Sequence, residues 1–415
     1  MQKYLIIILL SYLFVQGIEY WLKFMNLKYM NRYGKNIPPA FKGYIDESIL
    51  EKMQAYTIEK SKFSSIKSLY GNVLVLIFLF GGLLNVYNYW IFSLNLSFII
   101  SGLIFFLLLS HGSAFLSIPF SLYDTFKIEN KYEFNAMTVK LWIIDFLKSL
   151  ILSTVLIAVV VAVALWFTQY SPNYWWIWIW VFYFIFSLFI MYISPYVIEP
   201  LFNKFTPIED EAFAQKIKQL LENVGIRVSR VFKMDASKRS RHTNAYFSGF
   251  GKVKRIILYD TLLEKLDHDE VLAVLSHEAG HWKKKHILKL IIISEVVSLI
   301  AIYISFKVLQ TDILTNIFRI EHDTFFAKVI ILGFLGSIIS FPLTPLGNYI
   351  SRRFEREADR FSFQLIENKE NISTALIKLS KDNLSNLYPH PLYAAFYYSH
   401  PPIVERIESI NKTIR

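Results

Sequence analysis

The sequence predicts a mostly α-helical, multi-pass membrane protein: seven crossing helices joined to a small polar α/β domain. Three observations predict it. Hydrophobic residues make up 54% of the 415 and charged residues only 19%, and mean hydropathy is positive, a balance a soluble chain hides with difficulty. No Asp, Glu, Lys or Arg occurs from Ser68 to Tyr123, nor from Ser149 to Ile198, and each stretch accommodates two crossings of about 20 residues. Basic and non-basic loops alternate between the apolar segments, as the positive-inside rule expects.

The seven apolar segments run 4–24, 68–88, 97–121, 149–168, 174–196, 287–309 and 327–350. The first lacks a small-x-small cleavage site before Gln16-Gly17-Ile18-Glu19 and is expected to be a retained anchor. The 25–67 and 122–148 loops are rich in Lys and Arg, whereas the 89–96 and 169–173 loops hold neither. Seven crossings then put the N-terminus outside. The polar regions 197–286 and 351–415 share the cytoplasmic side. Within 197–286, Asp210 to Val224 has a helical pattern ending at Gly225. Val228 to Met234 reads as a strand. Tyr246 to Phe250 and Lys254 to Tyr259 alternate like two strands joined at Gly251. Asp269 to Leu309 reads as one long helix. The chain is expected to divide into a membrane domain, 1–205, with about five crossings, and a domain 206–415 carrying two more.

The net charge of +11 does not imply a nucleic-acid partner, because the basic residues follow the loops and form no face. Cysteine is absent, which removes disulfides, thiolate ligands and a cysteine nucleophile. Any metal must be held by His, Asp or Glu.

One such set exists. In His277-Glu278-Ala279-Gly280-His281 the two histidines share a helix face and can reach one zinc ion. Glu278 beside them suits a general base that activates a metal-bound water. The alternative is two exposed helix histidines. A third ligand is sought in Ser351 to Asp359, directly after the last apolar segment. Glu355 and Asp359 share a face there, while Glu357 lies about 200° round from Glu355. Glu355 is the expected ligand, with Asp359 orienting a histidine through its free ring nitrogen. A salt bridge from Glu355 to Arg352 or Arg356 is the competing reading.

With these motifs in place the chain resembles the CAAX prenyl endopeptidases, integral-membrane zinc peptidases of the gluzincin type. The resemblance is carried by Met234-Asp235-Ala236-Ser237-Lys238-Arg239-Ser240, Asn244-Ala245-Tyr246-Phe247, Lys254 to Leu263, the His-Glu-x-x-His run with Trp282 and His286, the Glu355-x-x-Ala358-Asp359 segment, and His400-Pro401-Pro402 with Glu405-Arg406. Upstream, Ile128-Glu129, Phe134-Asn135 and Thr138 also match. It implies a ring of seven helices enclosing a water-filled chamber, capped by the zinc domain. It implies one zinc ion with Glu355 as third ligand. Asn244, Ala245 and Tyr246 would form an edge strand that pairs with an extended substrate. His400 would lie near the oxyanion and Arg406 would support the site. Without the resemblance, His400 reads as a helix-start histidine and Asn244 as a turn residue.

Further residues follow from helix geometry. Glu295 lies five whole turns past His277 and is expected on the metal face, about 27 Å up the axis, lining an aqueous chamber or hydrogen-bonded as a protonated carboxyl between helices. His286 falls on the opposite face and is not assigned to zinc. Lys283, Lys284 and Lys285 read as an interface anchor. Pro342 and Pro345 are expected to kink the seventh segment. His111 reads as a buried structural histidine.

The expected activity is metal-assisted endoproteolysis at a membrane, on a peptide or protein substrate that is prenylated, lipid-modified or membrane-embedded. A quality-control protease of the shorter heat-shock type shares the zinc motifs but not the five-segment N-terminal half. A transporter or scaffold with structural zinc would not need Glu278. The Ile, Lys, Asn and Phe bias resembles an AT-rich genome, so a bacterial inner membrane is expected over the endoplasmic reticulum.

Overall fold

The computed structural model describes residues 2–248, 253–366, 368 and 370–414. The end of the strand expected at Tyr246 to Phe250 and its joint at Gly251 lie outside these residues. The first half is helical: α1 (Gln2–Tyr33), α2 (Glu47–Val75), α3 (Leu83–Ser93), α4 (Phe98–Tyr123), α5 (Val139–Tyr170), α6 (Trp175–Ile193) and the short α7 (Glu199–Phe202). Wider π turns extend α2, α4 and α6 through 76–80, 124–129 and 194–198. Asp46 caps α2 by accepting from the Ile49 N–H (2.8 Å), so this crossing starts some twenty residues before the apolar run did. It ends at Gly81-Gly82, where Gly82 has φ +85°, a conformation that favours glycine. The expected segment 68–88 therefore runs across a break.

Strand β1 (Phe205–Pro207), α8 (Glu211–Glu222), β2 (Arg227–Met234), β3 (Ala245–Ser248) and β4 (Val253–Tyr259) follow. The strands order β1-β2-β4-β3, with β2 parallel to β4 and the other pairs antiparallel. Asp210 caps α8 through the Phe213 N–H (2.8 Å), and Gly225 at φ +83° ends it. The apolar stripe Phe213, Ile217 and Leu221 packs with Val231, Ile256 and Leu258 of the sheet and with Val271 and Leu275. Each such burial contributes roughly 1.5–3 kcal/mol.

The chain continues as α9 (Asp260–Lys265), α10 (His268–Lys283), α11 (His286–Leu309), α12 (Ile313–Phe318), α13 (Phe325–Ser340), α14 (Thr344–Leu365), α15 (Glu370–Asp382), α16 (Pro391–Tyr397) and α17 (Ile403–Ile414). The expected single helix 269–309 is two. Lys285 adopts a left-handed conformation (φ 57°, ψ 36°), which turns the backbone out of register between α10 and α11. At Pro342 and Pro345, where a kink is expected, a 3-10 turn at 341–343 separates α13 from α14.

Among the described residues, seven helical stretches are long and apolar enough to cross a membrane, and no more than 17% of any crossing window is buried. Helices packed into a solid bundle would each bury a face.

Candidate metal centre

Helix α10 starts at a capping box: Asp267 accepts from the Glu270 N–H (2.9 Å) and Glu270 accepts from the Asp267 N–H (3.0 Å). Lys378 of α15 pins the same buried Glu270 at 2.6 Å. One turn of this anchored helix separates His277 from His281. Gly280 lies between them, and a Cβ there would stand 2.9 Å from Ala358 Cα and 3.0 Å from its carbonyl oxygen. The missing side chain lets α14 approach backbone to backbone. Glu355, one turn before Asp359, is thereby delivered to both histidines.

The three donor atoms converge. His277 Nε2 and His281 Nε2 lie 3.1 Å apart. Glu355 Oε2 is 3.3 Å from the first and Oε1 is 3.2 Å from the second. Tetrahedral ligands at zinc bond lengths sit about 3.3 Å from one another. Glu355 is buried and the two histidines are half-buried, so the donor atoms meet at the wall of the site. The set could hold a metal ion.

Hydrogen bonds behind His277 fix its tautomer. Its Nδ1 lies 2.8 Å from Asp359 Oδ1; an ionised carboxylate only accepts, so Nδ1 carries the proton and Nε2 offers its lone pair. Arg406 clamps Asp359 with two donors, Nε to Oδ2 at 3.0 Å and Nη2 to Oδ1 at 2.7 Å. Burial works against a charged His277 ring, but the hydrogen bonds to Asp359 and Glu355 outweigh it and lift the pKa to about 9. A metal ion that takes Nε2 displaces the proton shared with Glu355, while Nδ1 keeps the one shared with Asp359. Burial also raises the Glu278 carboxyl above its ordinary range, against the pull of His277 and His281, and a raised pKa makes a better proton acceptor.

Glu278, His277 and Glu355 line a cavity of about 170 Å³ together with Asn244, Ala245 and His400. His400 is 63% exposed, with Nδ1 2.8 Å from Glu355 Oε2, so the other end of its ring is free. Strand β3 pairs only with β4 among the described residues. Asn244 prolongs that pairing, accepting from the Tyr259 N–H (3.2 Å), while its side chain accepts from Ala245 N–H (2.8 Å). Tyr246 does not line the cavity. Its hydroxyl donates to Glu199 of α7 (2.7 Å).

The surroundings of three residues differ from what the sequence implies. His286 is 2% exposed and stacked on Phe354, ring centroids 4.2 Å apart. Its Nδ1 meets His281 Nδ1 at 3.1 Å and its Nε2 meets Glu357 Oε2 at 3.2 Å. With His281 Nε2 as the free lone pair, its Nδ1–H donates to His286, and His286 Nε2–H donates to Glu357. The break at Lys285 returns His286 to the metal side, so placing it on the opposite face was an error of assuming one straight helix. No spacing rule reveals that turn. The helical phase that set Glu295 above His277 lapses with it. Glu295 is half-buried, its carbonyl accepts from Trp180 Nε1 (3.2 Å) and one carboxylate oxygen has no partner in the protein. His111 is half-buried, not buried, and its Nε2 meets Thr154 Oγ1 at 3.1 Å.

Comparison with known proteins bears on the whole length. Residues 26–204 match a family described as CAAX prenyl protease N-terminal, five membrane helices, and residues 207–414 match Peptidase family M48. The chain is 34% identical over 397 residues to the CAAX prenyl protease 1 homolog of Arabidopsis thaliana, covering 90% of each. It is 34% identical over 404 residues to CAAX prenyl protease 1 of Saccharomyces cerevisiae, covering 90% of this chain and 88% of that one. The human CAAX prenyl protease 1 homolog is 32% identical over 431 residues, with 92% and 89% covered. The crystal structure of S. mikatae Ste24p superposes with a TM-score of 0.92 at 30% identity, over 98% of this chain and 99% of that one.

Proposed function

The chain belongs to peptidase family M48 and is a multi-pass membrane metalloendopeptidase of the CAAX prenyl protease type, and from that premise we propose a zinc enzyme that cuts prenylated CAAX-type peptides with its catalytic residues on the cytoplasmic side. The observation that carries the assignment is the convergence of His277 Nε2, His281 Nε2 and Glu355 within tetrahedral reach of one point. The donor set fits zinc: two imidazoles and a carboxylate, with no thiolate available in the chain, leave a fourth position open. Zinc held by His277, His281 and Glu355 would supply a Lewis acid that makes water more acidic. Glu278 takes the proton of the attacking water and delivers it to the leaving amine. Asp359 and Arg406 hold His277 in the tautomer that leaves Nε2 free. The outer edge of Asn244, Ala245 and Tyr246 pairs with the extended peptide and sets its carbonyl beside Glu278. His400, bonded through Nδ1 to Glu355, turns its other nitrogen to the developing oxyanion. The boundary near 205/206 separates the first five crossings from the peptidase domain, which carries the last two. The alternation of basic loops supports the cytoplasmic orientation, and the composition supports a bacterial inner membrane.

Replacing Glu278 by Gln tests the chemistry. The variant should keep one zinc per chain by elemental analysis and lose cleavage of a farnesylated C-terminal peptide by on the order of 10²–10⁴-fold. A Gln variant that still cleaves sinks the mechanism. Equal cleavage of the unfarnesylated peptide by the wild type sinks the prenyl specificity alone.

A further inference from the structure

Away from the metal centre, an open cavity of about 650 Å³ lies where the sixth helix gives way to α7 and β1, between the end of a crossing and the sheet. Its chemistry is that of neither the membrane core nor the peptide cleft. Arg255 reaches in from β4 with its guanidinium between two rings, 5.1 Å from the Tyr196 centroid and 4.5 Å from that of Phe232. One nitrogen donates to the Pro195 carbonyl (3.1 Å). A guanidinium has five N–H donors, so stacking fixes the group while most of its donors stay free. Lys204 reaches the same space from an exposed loop. The cavity's other cations are matched: Lys238 pairs with Asp235 at 2.6 Å and Arg239 with Asp145 at 2.7 Å. The carboxylate of Glu199 accepts from Tyr246 (2.7 Å). Among the described residues no carboxylate is within ion-pair distance of Arg255 or Lys204. Tyr196 on its wall is 52% exposed, and its neighbour Val197 at the end of the crossing is 49% exposed.

Two unmatched cations, a stacked guanidinium and the exposed Tyr196 and Val197 at the end of the crossing fit one occupant. We propose that this cavity binds the phosphate of an anionic phospholipid, with Arg255 and Lys204 on the headgroup and the acyl chains against the exposed flank of the fifth crossing. Arginine held planar matches phosphate oxygens bidentately, and basic groups at the surface of a membrane select anionic lipid. The site is independent of the peptidase assignment.

The test uses the full-length chain purified in a neutral detergent. Dioctanoyl phosphatidylglycerol is titrated and bound lipid is read by native mass spectrometry. Dioctanoyl phosphatidylcholine and inorganic phosphate serve as separate arms. The anionic lipid should bind, and Lys204→Gln and Arg255→Gln should each weaken it about fivefold, the loss of one membrane-surface cation. Phosphatidylcholine should bind more weakly than phosphatidylglycerol by a similar factor. Lys204 is exposed on a loop, so that variant decides the matter if Arg255→Gln lowers the melting temperature. Unchanged binding in Lys204→Gln, or equal affinity for phosphatidylcholine, overturns the proposal. Displacement of the lipid by inorganic phosphate at equal concentration also overturns it, because the site would then be one for free phosphate.

Discussion

The two histidines at the metal position are held from behind by unlike partners. His277 leans on a carboxylate fixed by Arg406. His281 leans on a neutral ring, His286, which leans in turn on Glu357. The second chain has one more link, and its first acceptor carries no charge. Removing His286 leaves the His281 Nδ1–H without a partner and its ring free to rotate, while both nitrogens that face the metal remain. His286→Ala should therefore weaken zinc by about 10–100-fold, the usual effect of losing such a support. Competition with a chromophoric chelator measures it. Glu357→Ala should cost less, because His286 keeps its stacking on Phe354. Equal zinc affinity in His286→Ala and wild type would mean that the contact is packing only. Along α14, one unbroken helix from Thr344 to Leu365, helical phase brings Glu355 and Asp359 to one side, as the spacing implies. It failed along 269–309, where the same arithmetic crossed a left-handed Lys285, misdirected His286 and left the placing of Glu295 without its helical phase.

At the scale of elements, the site is a crossing of α10 and α14, and Gly280 against Ala358 is its closest point. Because the obstruction is backbone, it cannot swing aside as a side chain would. Gly280→Ala should push the helices apart by a few tenths of an ångström. The overpacking should cost about 1–3 kcal/mol and lower zinc affinity, although no ligand is altered. Melting temperature and zinc titration measure the two effects. Chelation acts differently. The core that seats α10 is formed by Phe213, Ile217, Leu221, Val271 and Leu275 with the sheet, not by a metal. Dialysis against EDTA should abolish cleavage and leave helical circular dichroism unchanged, and zinc should restore activity. Collapse of the fold on chelation would identify a structural ion. These elements were legible where a cap or breaker marks their ends, as with Asp210 and Gly225 around α8. Helix α2 was not. Its first half is polar, and hydropathy alone registers only the apolar half.

For the whole molecule, the decisive property is what fills the ring. Helix α1 presents two unlike stripes. Ile7, Leu10, Phe14, Trp21 and Phe24 are exposed and wholly apolar, with Phe14 69% exposed. Across the helix, Tyr12, Gln16, Glu19, Tyr20 and Lys23 follow the same periodicity with polar groups. Tyr12 donates to Asn72 of α2 (2.8 Å), Asn72 donates to Gln16 (2.7 Å), and Lys23 reaches Ser68 (3.3 Å). Ionisable side chains such as Glu19 and Lys23 are costly against hydrocarbon, so the polar stripe faces inward and the apolar stripe meets lipid. The cysteine-free sequence makes this directly testable with single substitutions. Glu19→Cys should react with a membrane-impermeant, hydrophilic maleimide, and Phe14→Cys should not, although Phe14 is the more exposed of the two in the protein alone. Surface area by itself predicts the reverse order. Equal protection of both positions would mean that the interior is filled with lipid, and the peptide would then need to be cut at the rim and not within an aqueous chamber.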